Sequence, residues 1–148
     1  MAQTDLITTV NGVTIRKAHQ ADIPVLETFI SGFVKSGELL PRTLTELQDL
    51  LGNFFIAVDE DGELVGCATL EIYSKKLAEI RSLAVSPKAQ GRGVGKRLVQ
   101  ICLDLAKEND VFEVMAISAK EDFFIGCGFD YTLPRLRKAF FLQMRDEL

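Results

Sequence analysis

At 148 residues the chain is long enough to bury a real core and short enough to be one domain, spanning 1–148. Hydrophobic residues make up 47% and charged residues 26%, ordinary values for a water-soluble globular protein, and no apolar run approaches membrane-spanning length. A net charge of −4 gives no general case for nucleic-acid binding, and three scattered cysteines (Cys67, Cys102, Cys127) show neither metal spacing nor a disulfide framework. Met1 to Asp5 lacks the apolar run of a signal peptide, so a reducing, cytoplasmic setting is expected.

Residues 1–12 read as a loose extension. Val13 to Lys17 alternates and predicts a first strand. A helix follows from about Ala21, with Pro24 in its first turn, where a missing N–H is harmless. Gly37 to Pro41 breaks the pattern, and Thr43 with Glu46 predicts a capping box for a second helix. Phe54 to Val58 predicts a short buried strand, Asp61-Gly62 a hairpin turn, and Leu64 to Tyr73 and Leu77 to Val85 two further strands. A helix then runs to about Asn109, with Val94, Leu98, Ile101, Cys102 and Leu105 as its apolar stripe. Val111 to Ile117 predicts a strand, Ala119 to Gly126 a short helix, and Phe129 to Leu133 and Ala139 to Met144 closing strands. An antiparallel meander feeding a βαβ unit implies a mixed sheet with helices on both faces.

Between the strand Leu77 to Val85 and the long helix lie Gln90-Gly91-Arg92-Gly93-Val94-Gly95-Lys96. Alternate glycines leave backbone N–H groups uncovered at a helix start, which makes an anion site. From Ser86 to Leu98 there are four cations (Lys88, Arg92, Lys96, Arg97) and no acid, so the rest of the chain carries −8. The segment reads as a cradle for a phosphorylated ligand. It is not a nucleotide-triphosphate loop, because Lys96 is followed by Arg97 rather than Ser or Thr. Nor is it a dinucleotide loop, because the glycines are spaced G-x-G-x-G.

Gln90-x-x-Gly93-x-Gly95 after Leu-Ala-Val-Ser-Pro resembles the acetyl-CoA loop of GNAT-family N-acetyltransferases, Arg/Gln-x-x-Gly-x-Gly/Ala. Ile15 to Ala18 is similar to that family's opening strand, and Phe123 to Phe129 to its late helix and Gly-Phe turn. The resemblance covers nearly the whole chain. It implies an α/β (α+β mixed) GNAT fold with a mostly antiparallel mixed sheet of about six to seven strands and about four helices. It also implies a splay between the fourth strand, Leu77 to Val85, and the fifth, Val111 to Ile117. Acetyl-CoA is the implied cosubstrate. Gln90, Gly91, Arg92, Gly93, Val94, Gly95 and Lys96 would bind it, with the N–H groups around Arg92 to Lys96 holding the pyrophosphate, while the backbone of Leu83, Ala84 and Val85 would pair with the pantetheine arm.

Glu79 matches the position of the base glutamate in several family members. It shares a strand face with Arg81, so it is alternatively one half of a salt bridge. A free strand N–H near Leu83 to Val85 is the implied oxyanion donor. The tyrosine that many relatives carry on the late helix is Phe124 here, and Tyr131 is a substitute donor or a strand packing residue. A thiol with a pKa of about 8.5 leaves tolerably without an acid.

Leu39-Leu40-Pro41-Arg42 and the strand Ala78 to Val85 resemble the N-acetylglutamate synthase branch. By that match Arg42 would grip a substrate carboxylate, and the backbone of Leu40 and Ser82 would meet its amine. Arg135, Arg137 and Lys138 would hold a side-chain carboxylate or form a solvated basic turn. The single histidine, His19, reads as surface decoration, and no metal is expected. The implied activity is acetyl transfer to a small amino acid such as glutamate. Another amine (a protein N-terminus, a polyamine, a drug) or a non-catalytic acyl-CoA-binding sensor are the alternatives. Nucleic-acid and membrane partners are not expected; a homodimer through edge strands or the C-terminal arm is compatible with the resemblance.

Overall fold

In the computed structural model, residues 6–131 and 139–146 are described. The chain divides into two compact units, 1–116 and 117–148.

The first unit is built on a six-stranded sheet whose spatial order follows the chain: β1 (Leu6–Val10), β2 (Val13–Lys17), β3 (Phe54–Val58), β4 (Leu64–Ile72), β5 (Leu77–Val85) and β6 (Glu113–Met115). Neighbours are antiparallel except β5 and β6, which are parallel. The long helix α3 (Val94–Glu108) supplies the crossover that a parallel pair requires.

Residues 6–10 are not a loose extension, because they form β1 against β2. The reason is the Asn11-Gly12 turn, with φ of +46° and +83°. Two left-handed residues in succession match the twist of the flanking strands and close Val10 on Val13.

Helix α1 (Ile23–Lys35) starts from a single 3-10 turn, and α2 (Leu44–Leu50) carries the expected box. Thr43 Oγ1 accepts from the Glu46 amide at 3.1 Å, and Glu46 Oε1 accepts from the Thr43 amide at 3.2 Å. Ile23, Leu26 and Ile30 of α1 and Leu47 of α2 pack with Phe54, Ile56, Cys67 and Ala84 on one face of the sheet. Helix α3 covers the opposite face across β4 and β5. Gly66, next to Cys67 and so on the other side of the strand, lies under Leu98; a Cβ there would stand 3.4 Å from its Cδ1. Leu26 and Leu98 are fully buried, each contributing about 1.5–3 kcal/mol of apolar transfer.

Two register features shape β5. Cys67 pairs with Ala84 and Thr69 with Arg81, so Ser82 and Leu83 together oppose Ala68 in a β-bulge. On the other edge, β6 pairs only with Leu77, Ala78 and Glu79. From Ile80 onward that edge has no partner strand among the described residues, where the sequence implied a splay.

The second unit holds α4 (Glu121–Gly126), which ends in a turn with Gly128 at φ +95°. The strand expected over Val111 to Ile117 is confined to β6. The closing strands are not found: residues 129–131 and 139–144 are not in strands, and Phe140, Phe141, Leu142 and Met144 are exposed. Apolar alternation alone does not make a strand without a ladder partner, and residues 129–131 and 139–144 enter no ladder. Leu133, Arg135, Arg137 and Lys138 lie outside the described residues.

Candidate active site

The bulge puts Ser82 at φ +53°, a conformation an L side chain adopts only when its surroundings hold it there. Two contacts do so. The Cys67 thiol donates to the Ser82 carbonyl at 3.1 Å, and Arg42 Nε donates to Ser82 Oγ at 3.1 Å. The Arg42 side chain is 4% exposed and its Nη1 pairs with Glu46 Oε2 at 3.0 Å. The α2 capping glutamate therefore also anchors the arginine. Nη2 has no partner among the described residues. It still reaches the surface, because no buried side-chain nitrogen or oxygen lacks a hydrogen bond there. Leu40, by contrast, is two-thirds exposed.

Glu79 sits on the same sheet face as Arg81 and Ala84, directly across from Glu71. Two carboxylates opposite each other repel unless donors separate them. Arg81 Nη1 pairs with Glu71 Oε1 at 2.8 Å and its Nε stands 3.9 Å from Glu79 Oε1. The Tyr73 hydroxyl donates to Glu79 Oε1 at 2.6 Å. Partial burial, on a residue 49% exposed, and then the adjoining Glu79 carboxylate push the Tyr73 hydroxyl up to about 12, so it is a proton-bearing donor across the neutral range. The Glu79 side chain is 11% exposed and its second oxygen is without a partner among the described residues. The partnership expected with Arg81 is thus the weaker one. Tyr73 is the contact that sequence reasoning missed, and counting register across the Ser74–Lys76 turn would have found it.

The glycine loop departs from expectation in how it uses its charges. Lys88 pairs with Asp59, at 3.3 Å, and with Glu63 in the β3–β4 turn. Arg92 reaches Glu60 at 3.5 Å and donates to the Asn11 carbonyl at 2.8 Å. Arg97 donates to Thr8 Oγ1 at 3.1 Å. Of the four cations only Lys96 has no such partner among the described residues. What the loop leaves open is backbone. The N–H groups from Gly91 to Lys96 have no acceptor among the described residues, with Gly91 and Gly93 at φ +79° and +81°. Gln90 is exposed, but its side chain is not free: its Nε2 donates to the Val85 carbonyl at 3.1 Å and ties the loop to the end of β5. Leu83 and Val85 are half-buried, Ala84 and Val94 buried.

In the second unit Phe124 packs edge-on against Phe123 and Phe129, with ring centroids 5.1 and 5.3 Å away. Tyr131 is 65% exposed and lies in no strand, so it is not the packing residue expected. His19 opens the 3-10 turn before α1, where its amide donates to Asp22. No helix of the described residues is long and apolar enough to cross a membrane.

Sheet, crossover and bare-amide loop place the molecule among the acetyl-CoA-dependent acyltransferases. The family model for GNAT acetyltransferases matches residues 25–129, and the chain belongs to that family. It is 32% identical over 115 residues to an uncharacterized N-acetyltransferase of Chlorobaculum tepidum, covering 78% of this chain and 74% of the relative. It is 36% identical over 132 residues to an amino-acid acetyltransferase of Neisseria meningitidis, covering 85% of this chain and 30% of that protein. The structure of N-acetylglutamate synthase from Neisseria gonorrhoeae with coenzyme A and N-acetyl-glutamate superposes with a TM-score of 0.69 at 34% identity, over 81% of this chain and 28% of the other. The chain thus spans under a third of the Neisseria proteins it resembles.

Proposed function

We propose that the enzyme acetylates the α-amino group of a small amino acid such as glutamate, by direct attack in a ternary complex. The observation that carries this reading is Arg42: a side chain 4% exposed, locked to Ser82 and Glu46, with one guanidinium nitrogen left over at the surface. A buried fork with a spare donor suits a planar carboxylate better than a cationic amine. The likeness to an amino-acid acetyltransferase and to a synthase bound to N-acetyl-glutamate supports the same class of acceptor.

Acetyl-CoA supplies a thioester carbonyl and a thiolate leaving group. The loop amides of residues 91–96 suit its pyrophosphate, since they are six adjacent donors at a helix start with no protein acceptor among the described residues. The edge of β5 at Leu83 to Val85, which has no partner strand among the described residues and whose Val85 carbonyl accepts from Gln90, suits the pantetheine amides and leaves a backbone N–H for the developing oxyanion. Glu79 accepts the proton of the ammonium on its open oxygen, directly or through one water, while Tyr73 holds the other oxygen in place. Arg42 and the Ser82 backbone orient the acceptor. Arg135 and Arg137 complete the proposal as partners for a side-chain carboxylate.

Release of free thiol from acetyl-CoA with a panel of amino acids, polyamines and peptide N-termini tests the reading. Turnover with acidic or amide amino acids is expected. Faster turnover of a polyamine overturns the acceptor; tight CoA binding with no turnover on any amine selects a sensor.

A further inference from the structure

The N-terminal hairpin touches the glycine loop at one reciprocal contact. Asn11 Nδ2 donates to the Arg92 carbonyl at 2.7 Å, and Arg92 Nη2 donates back to the Asn11 carbonyl at 2.8 Å. Asn11 is the first residue of the left-handed turn that closes β1 on β2. Arg92 lies between the two left-handed glycines of the loop. A side chain added at Gly93 would begin 3.6 Å from Val10, so hairpin and loop meet closely here.

The peptide linking Arg92 to Gly93 is trans, like every other described peptide. In a trans peptide the C=O and the following N–H point in opposite directions. Fixing the Arg92 carbonyl on Asn11 therefore aims the Gly93 N–H away from the hairpin. A loop with two glycines has many other orientations open to it, and each would turn that amide elsewhere. The geometry points to Asn11 as a positioning residue for the cosubstrate: the hairpin tip pre-sets the loop peptide that presents its amide to the pyrophosphate. This inference rests on the proposed placement of acetyl-CoA. It assigns the hairpin a part in cosubstrate affinity, with no part in the chemical step. Preorganisation of this kind lowers the cost of ordering on binding.

The test separates the contact from the turn. Asn11→Gly keeps the left-handed turn and deletes the donor; Asn11→Asp keeps a turn-forming residue that cannot donate. Both are compared with the wild-type chain in calorimetric titration with CoA. Steady-state rates are measured with acetyl-CoA and with S-acetylpantetheine, which has no pyrophosphate. One lost hydrogen bond predicts a Kd for CoA and a KM for acetyl-CoA raised about fivefold. The kcat at saturation, the acceptor KM and the kcat/KM for S-acetylpantetheine stay at wild-type values. A merely structural contact would move both thioesters alike. Equal losses on both, or unchanged CoA affinity in both variants, overturn the inference. Failure of the wild-type chain to bind CoA overturns the placement of the cosubstrate and the inference together, and is read separately from the variants.

Discussion

At its C-terminal end β5 runs into a loop that offers backbone; toward its N-terminal end it offers side chains. The loop has four cations, yet three are tied to Asp59, Glu63, Glu60, Asn11 and Thr8, so they act as struts, and the groups left free among the described residues are Lys96 and the amides. Around Glu79 the reverse holds: the backbone is locked into the β4–β5 ladder, and Glu71, Tyr73, Arg81 and Glu79 carry the polar chemistry. Backbone donors are fixed by φ and ψ and cannot titrate. Carboxylate and phenol can, and they are what a proton transfer needs.

The largest effect expected falls on the side-chain region. Glu79→Gln removes the proton acceptor while keeping size and the Tyr73 contact, and lowers kcat/KM by about 10²–10³-fold with CoA affinity unchanged. Wild-type turnover by this variant would leave the carboxylate only a partner of Tyr73 and Arg81. Next in size is Arg42→Gln. Losing one charge-assisted bond raises the acceptor KM by about 10–100-fold and leaves the KM for acetyl-CoA alone. A rise in the acetyl-CoA KM instead would erase the division between the two ends of β5.

A third prediction reads the cluster without catalysis. The chain has two tyrosines, Tyr73 and Tyr131. Burial and the Glu79 carboxylate hold Tyr73 up to about 12. In Glu79→Gln the charge is gone and burial remains, so phenolate absorbance should show one tyrosine titrating lower than in wild type while the other is unmoved. Identical titrations would mean that the 2.6 Å contact is not kept in solution.

The loop was legible because its information is local. Glycine spacing, a preceding strand and a following helix are all within Leu83 to Leu98, and β3 and β5 begin and end where their apolar patterns do. The Asn11-Gly12 hairpin was also written in the sequence, as the commonest two-residue turn pair, but a reading that starts at Val13 passes over it. The role of the cations was not legible. Lys88 and Arg92 look like ligand groups until the β3–β4 turn brings Asp59, Glu60 and Glu63 against them. The Tyr73–Glu79 bond lay one step further, in the hairpin register that stands Glu71 across from Glu79 and that counting across the Ser74–Lys76 turn gives. Charge counted along a chain says how many groups there are, and only the ladder says which ones are already used.

The smallest effect expected tests the struts. If Lys88 held phosphate, Lys88→Met would weaken CoA binding markedly and flatten its salt dependence. As a strut paired with Asp59 and Glu63, its loss leaves the CoA Kd within about twofold, the usual modest scale of an exposed ion pair. The amide of Glu63 chiefly, with Lys88 and the amide of Asp61, holds the Asp59 carboxyl below its ordinary value of 3.8. A carboxyl depressed on folding contributes stability above its unfolded pKa and loses it as pH falls through the lower folded one. The thermal midpoints of wild type and Lys88→Met should therefore differ slightly at neutral pH, and the part of that difference carried by Asp59 should close below about pH 3.8. A difference that widens toward acid would show that Lys88 is not the partner of Asp59 in solution. A tenfold loss of CoA affinity at neutral pH would return Lys88 from strut to ligand.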